Sequence, residues 1–354
     1  MKSYFRPEID AIAGYVPGEQ PKMPGLIKLN TNENPYPPSP ETAKVLHNFD
    51  IDRLRRYPDP TADKLRDLFA ADLGLKRENI IAGNGSDDLL TMIFRAFTAP
   101  ELPVAVFEPS YSLYPVLAAM QGAPVYRIEL DRNDFSYPAD AVKQAKDANL
   151  LIVTRPNAPT GNCVPKELVR QYCAEFDGIV LIDEAYSDFA PDNCAELATE
   201  FDNVLVMRTF SKGVSMAGIR LGYAFGNPDL ISGLMKLKDS YNLDMLTQEV
   251  AAANYADKNY RQECLKKILA ERERLTAELS NRGFAIIPSQ ANFLFAAPPD
   301  GDGAGCFAHL RENAVIVRYF PGEVTGKYLR ITIGTPAEND RLLEVITSKY
   351  PCLN

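Results

Sequence analysis

Thr209-Phe210-Ser211-Lys212-Gly213-Val214-Ser215-Met216-Ala217-Gly218-Ile219-Arg220 follows the apolar run from Val204 to Met207, and places two hydroxyls just before a lysine and an arginine just after it. About thirty residues upstream of the lysine, a second apolar run, Ile179 to Ile182, ends in Asp183-Glu184-Ala185-Tyr186. Short uninterrupted apolar runs of this kind read as strands buried on both faces. In an open sheet of parallel strands their polar successors emerge together at the carboxyl edge, where ligands bind.

Further runs extend the pattern. Val104 to Phe107, Val125 to Leu130, Leu150 to Val153 and Leu221 to Phe225 are predicted strands, with helices from Asp88 to Phe97, Tyr111 to Met120 and Lys166 to Phe176 between them. Strands alternating with helices predict an α/β domain built on a mostly parallel sheet. Residues 1–40 are rich in Pro, Gly and Asn and read as an ordered arm, because repeated prolines suit neither a helix interior nor a central strand. From Pro228 to Asn281 helix formers dominate. Strands at Phe284 to Ile287, Asn292 to Phe295, Val315 to Val317 and Leu329 to Ile333, then a helix from about Ala337, predict a smaller α+β unit. The expected division is an arm over 1–40, a large domain over 41–235 and a small domain over 236–354.

At 354 residues the chain exceeds the usual size of one core, which agrees with two units. With 47 Asp and Glu against 38 Lys and Arg, and a formal charge of −9, it lacks the basic face that a nucleic-acid backbone requires. The six cysteines form no CxxC pair and predict neither a metal site nor a disulfide frame. No apolar stretch is long enough for a membrane span, and the opening residues Met1 to Glu8 lack a signal-peptide core. A cytoplasmic small-molecule enzyme is the expectation, and in an acidic chain its individual arginines become informative.

In Ala82-Gly83-Asn84-Gly85-Ser86-Asp87-Asp88-Leu89-Leu90, glycines and a Ser/Asp pair open a helical pattern. Unpaired amides there suit a phosphate, although a plain helix cap has the same sequence. Asp183 at the sheet edge is either a loop cap or the partner of a ligand cation. Lys212 is a surface lysine or a nucleophilic amine, and the second reading gains from Thr209, Ser211 and Arg220, two hydroxyls and a guanidinium able to close around a phosphate.

Several motifs in order carry a resemblance. They are Gly14-Tyr15-Val16-Pro17-Gly18-Glu19-Gln20-Pro21, Asn30 to Pro35, Arg56-Tyr57-Pro58-Asp59, Asn84 to Asp87, Pro156-Asn157-Ala158-Pro159-Thr160-Gly161, Asp183 to Tyr186, Ser211-Lys212, and Leu329-Arg330-Ile331-Thr332-Ile333-Gly334-Thr335. Nearly end to end, the chain resembles fold-type I aminotransferases dependent on pyridoxal 5'-phosphate, and among them the histidinol-phosphate aminotransferase family. The resemblance implies a large domain with a seven-stranded sheet flanked by helices, a smaller domain, and a homodimer. It implies Lys212 as the Schiff-base lysine and proton carrier, Asp183 opposite the ring nitrogen, and Tyr186 and Asn157 on the phenolate oxygen. Gly85, Ser86, Asp87, Thr209, Ser211 and Arg220 would form the phosphate pocket, joined by Tyr57 from a second subunit, and Tyr111 would stack on the ring. Sequence context alone leaves Tyr111 as a core aromatic and Tyr57 as part of a solvated turn.

For the substrate, the resemblance implies Arg330, Arg318 and Tyr15 as contacts, with Asn157 beside them. Arg318 alternates with apolar residues, so it is either a solvent-facing strand residue or, beside Arg330, a reader of phosphate. Departures from the family pattern are Ala158 in place of a common Asn, Arg155 before that motif, and Asp88 for a usual Glu. The implied reaction is ping-pong transfer of an amino group from histidinol phosphate to 2-oxoglutarate. Relatives acting on aromatic amino acids, or decarboxylating threonine phosphate, share nearly every motif and remain alternatives. DNA-binding regulators that hold the same cofactor carry an extra basic N-terminal module, which this acidic sequence does not show.

Overall fold

The computed structural model describes residues 3–352, so Met1 and Lys2 of the leader reading lie outside it. The arm contributes one short strand, β1 (Ile27–Lys28), ahead of the main sheet. That sheet has seven strands: β2 (Ile80–Gly83), β3 (Val104–Glu108), β4 (Val125–Glu129), β5 (Leu150–Thr154), β6 (Ile179–Asp183), β7 (Val204–Thr209) and β8 (Gly222–Gly226), in the order β2-β8-β7-β6-β5-β3-β4. Only β8 runs against its neighbours. Every residue of β5 is buried, as is every residue of β6 after the first, which is why both read as unbroken apolar runs rather than alternating ones.

The strand of this sheet absent from the sequence reading is β2. Ile80-Ile81-Ala82-Gly83 is too short to stand out and ends in the glycine that opens the next loop. The helix Ser86–Phe97 begins two residues earlier than expected, bringing Ser86 and Asp87 into its first turn. The helix Leu113–Gln121 begins two residues later, leaving Tyr111 in the loop before it.

Four further strands, β9 (Ala285–Ile287), β10 (Phe293–Ala297), β11 (Val315–Ile316) and β12 (Arg318–Tyr319), precede β13 (Leu329–Thr332). The expected strand from Val315 to Val317 is split at Val317. β11 pairs in parallel with β1, whereas β12 joins an antiparallel sheet in the order β12-β13-β10-β9. The last helix, Pro336–Lys349, starts with a reciprocal capping box between Thr335 and Glu338.

Apolar side chains cover both faces of the large sheet, and a separate cluster fills the C-terminal unit. The helix Met245–Ala256 differs from expectation. Sequence places it beyond residue 235 in the small domain, but its Val250, Ala251, Ala252 and Tyr255 are buried in the core of the large sheet, against helices Pro40–His47 and Asp63–Leu73. The core changes over along the next helix, Lys258–Ser280, whose Ile268, Leu275 and Leu279 join the C-terminal cluster. The arm is laced to that unit: Leu29 lies in its core, Thr332 N donates to Leu29 O at 3.0 Å, and Asn292 Nδ2 donates to Asn32 O at 3.0 Å. Among the described residues no helix is long and apolar enough to cross a membrane, and no cluster of His, Cys, Asp and Glu is arranged to hold a metal.

Candidate active site

A cavity of about 490 Å³ opens at the carboxyl edge of β5, β6 and β7, between the large sheet, the arm and the C-terminal unit. Its walls include Tyr15, Ser86, Asp87, Tyr111, Asp183, Tyr186, Thr209, Ser211, Lys212, Arg220, Arg318 and Arg330. The register explains the convergence: Thr154 lies beside Asp183 across β5 and β6, and Asp183 beside Met207 across β6 and β7.

Lys212 Nζ donates to the carbonyl of Thr31 in the arm at 2.8 Å and lies 5.7 Å from the centre of the Tyr186 ring. Burial, reinforced by the nearby Arg330 cation, lowers its pKa to about 7, against the opposing pull of Glu33 and Asp87. At neutral pH a large share of the amine is therefore free, as a nucleophile needs. Asp183 is buried, which raises its carboxyl to about 6 despite two donors. Those donors are Tyr114 Oη to Oδ2 at 2.7 Å and Ala185 N to Oδ1 at 3.1 Å. Tyr186 Oη accepts from Asn32 Nδ2 at 2.9 Å, and its ring packs edge-on against Phe293.

The opposite end of the cavity is built for an anion. Helix Ser86–Phe97 starts at Gly85 without a side-chain cap, so its first amides face the opening with the positive end of the helix dipole. Arg220, in the left-handed backbone region at φ 54°, turns its guanidinium to Ser211 Oγ at 3.1 Å, with Asp87 Oδ2 at 3.6 Å. Only glycine fits at 85: φ is 86°, and a Cβ would lie 2.5 Å from Arg220 Nη2. Thr209 Oγ1 accepts from Ser211 N at 3.1 Å and fixes the turn into the lysine.

Two arginines, Arg318 and Arg330, also line the cavity. Arg318 and Arg330 are direct cross-strand partners in β12 and β13. Like charges opposite one another destabilise a sheet, so a counter-anion is the natural complement. Arg330 Nη2 donates to Asn30 O at 2.9 Å, while its buried Nε has no partner among the described residues. Arg318 donates to the arm carbonyls of Pro17 and Val16, each at 3.1 Å. It also lines the cavity.

Three expected residues are not in the cavity wall: Gly85, which adjoins the lining residue Ser86, and Asn157 and Tyr57. The Asn157 side chain is fully buried and committed locally: Nδ2 donates to Pro109 O and Thr160 Oγ1, and Oδ1 accepts from Ser110 Oγ. Tyr57 is 77% exposed and stacks on Tyr241 at 4.3 Å, outside the cavity of its own chain. Tyr111 lies in the wall, edge-on to both Tyr15 and Tyr114.

Sequence reasoning missed Tyr114, Thr31 and Asn32. Tyr114 had a signal in its three-residue spacing from Tyr111, whose ring it meets edge-on. The polar run Asn30-Thr31-Asn32-Glu33-Asn34 had a compositional one. Tyr114 also gives a direct test. Because its hydroxyl donates to the charged carboxylate, Tyr114→Phe should raise the Asp183 pKa above its value of about 6 in cofactor-free protein. Carboxyl-carbon NMR across pH reads that titration, and a fall or no change contradicts the assigned contact.

The residues fit pyridoxal phosphate, the group that the sequence resemblance implies. Gly85, the helix start and Arg220 form a phosphate cradle that a Cβ would fill, Asp183 is an enclosed carboxylate for a ring nitrogen, and Lys212 is an amine poised for an aldehyde.

The family model for aminotransferase class I and II matches residues 24–346. The chain belongs to this family. Within it, the chain is similar to several histidinol-phosphate aminotransferases. One, histidinol-phosphate aminotransferase 1 of Trichormus variabilis, is 41% identical over 98% of this chain and 99% of its own length. The histidinol-phosphate aminotransferase of Pseudomonas entomophila is also 41% identical, over 98% of this chain and the whole of its own. Among solved structures, histidinol-phosphate aminotransferase from Sinorhizobium meliloti in complex with pyridoxal-5'-phosphate is 25% identical, covers 99% of each chain and superposes with a TM-score of 0.88. The aminotransferase is therefore of the fold-type I α/β class expected from its sequence.

Proposed function

We propose that this aminotransferase uses pyridoxal phosphate to move the amino group of histidinol phosphate to 2-oxoglutarate, in histidine biosynthesis. The observation that carries the substrate is the paired Arg318 and Arg330, with the buried Arg330 Nε lacking a partner among the described residues, in the cavity that Lys212 also lines. Planar guanidinium forks accept a phosphate monoester or a carboxylate. One site can therefore take both the phosphorylated donor and the dicarboxylic acceptor in turn.

The cofactor, when bound, supplies an electrophilic aldehyde and a ring that withdraws electrons from the carbon bearing the amino group. Ser211 and Arg220 would hold its phosphate together with the backbone amides of Ser86 and Asp87, and Asp183 would pair with its ring nitrogen. Tyr186 would serve its phenolate oxygen, and Tyr111 would cover the ring. Lys212 Nζ would take the proton from the amino-bearing carbon of the donor and deliver it to the former aldehyde carbon of the cofactor, as a general base with a pKa near the working pH. Tyr15 and the arm close the substrate end. The working unit is a cytoplasmic homodimer with residues 1–40 at the interface, and exposed Tyr57 reaches the phosphate of the second subunit's cofactor.

A steady-state comparison of histidinol phosphate, phenylalanine and tyrosine as donors to 2-oxoglutarate tests the substrate. The phosphate-bearing donor is expected to lead by at least about 10²-fold in kcat/KM, because the aromatic donors leave part of the arginine pair unsatisfied. Parity would transfer the assignment to an aromatic aminotransferase. A pH test addresses the lysine. Cofactor capture by cofactor-free protein, followed by absorbance, should slow about tenfold per pH unit below about 7, because only the unprotonated amine attacks an aldehyde. A rate that stays flat down to pH 5 removes Lys212 from that role.

A further inference from the structure

The residue after Asp183 faces away from the cavity and meets the residue before Thr209. Glu184 is fully buried, and its Oε2 accepts two hydrogen bonds from Arg208, from Nε at 2.9 Å and from Nη2 at 2.7 Å. Its Oε1 accepts from Cys194 N at 2.5 Å, while its own N–H donates to Met207 O at 2.8 Å. Arg208 is mostly buried, with its guanidinium 5.4 Å from the centre of the Phe225 ring on β8. No atom of the pair lines the cavity.

We infer that the Glu184–Arg208 pair is a positioning device for the reaction: it locks the carboxyl ends of β6 and β7 together and so sets the placement of Asp183 relative to Lys212. The geometry gives three reasons. Each member adjoins a cavity residue in sequence, Glu184 next to Asp183 and Arg208 next to Thr209, so a shift in either strand end is passed directly to the cavity. A bidentate fork fixes orientation as well as distance, which a lysine ammonium does not. Finally, a buried ion pair is a poor device for stability alone, since apolar residues of similar volume serve as well or better. Its presence beside the two strand ends is explained by the registration it imposes.

This inference rests on the roles proposed for Lys212 and Asp183, and the test separates the two. In the wild-type holoenzyme, a pH-dependent absorbance band of the bound cofactor, lost in Lys212→Ala, secures those roles. Arg208→Lys and Glu184→Gln holoenzymes are then compared with wild type for the midpoint of that band, for kcat and KM of the amino donor, and for Tm. The expected result is a midpoint displaced by at least half a pH unit and kcat lowered about tenfold, with KM within about threefold, because the substrate arginines are untouched. Arg282→Lys, which weakens a buried arginine contact to Glu278 and Thr347 in the C-terminal unit, controls for general destabilisation and should leave the midpoint in place.

A double variant, Glu184→Met with Arg208→Met, removes both charges. It is expected to recover Tm relative to the worse single variant while keeping the displaced midpoint. Wild-type midpoint and kcat in both single variants overturn the inference. So does a double variant that restores the midpoint along with Tm, since the pair would then act only by mutual neutralisation.

Discussion

Lys212→Ala is expected to retain pyridoxal phosphate yet turn over at least about 10⁴-fold more slowly, with both half-reactions affected. The proposed phosphate cradle of Ser86, Ser211 and Arg220 and the carboxylate of Asp183 are separate lining groups of the cavity and do not pass through the lysine. Binding should therefore survive while proton transfer fails. Donor added in single-turnover amounts reads the first half-reaction, and 2-oxoglutarate added to the amino form of the cofactor reads the second. Small primary amines in the buffer should restore part of the rate, since the deficit is a missing base in an intact pocket. Wild-type turnover in the variant would end the assignment of Lys212.

Arg330→Ala is expected to lower kcat/KM for histidinol phosphate and for 2-oxoglutarate together, by about 10² to 10³-fold, the effect of removing one partner from an enclosed charged contact. Both substrates should suffer because one guanidinium serves both anions. The cofactor's absorbance should be unchanged, because Arg330 stands on β13 in the C-terminal unit, across the cavity from the phosphate cradle. Arg318→Ala should weaken binding less, since its guanidinium is shared with the carbonyls of Val16 and Pro17. A loss confined to one substrate, or one below about fivefold, contradicts a shared anion site.

The placement of Lys212 and Asp183 at one edge was legible because each follows or closes an apolar run, and strand ends of an open parallel sheet share an edge; Arg220 instead precedes the run of β8, and it reaches the same edge because β8 is antiparallel to β7. Once the sheet is inferred, convergence follows from topology. The arginine pair was half legible: the sequence shows two arginines twelve residues apart, but their cross-strand register depends on the break at Val317 that separates β11 from β12. The commitment of Asn157 to Ser110, Thr160 and Pro109 was not legible, since it arises where two loops meet. Tyr114 was hidden for a similar reason. Its hydroxyl reaches Asp183 across 69 residues of chain, and local sequence shows only an aromatic at the start of a helix. The helix Met245–Ala256 was misassigned because its apolar positions identify a buried face without naming the core that receives it.

The carbonyl of Thr31 that receives Lys212 Nζ belongs to a segment whose next residue is bonded to Thr332 and Asn292. The resting position of the reactive amine is thus referenced to the C-terminal unit as much as to the sheet that bears it. Excising residues 1–40 would remove one wall of the reaction chamber rather than an appendage. The remaining chain could retain the lysine, the carboxylate and the cradle in sequence and still lack the surface that tells the amine where to wait.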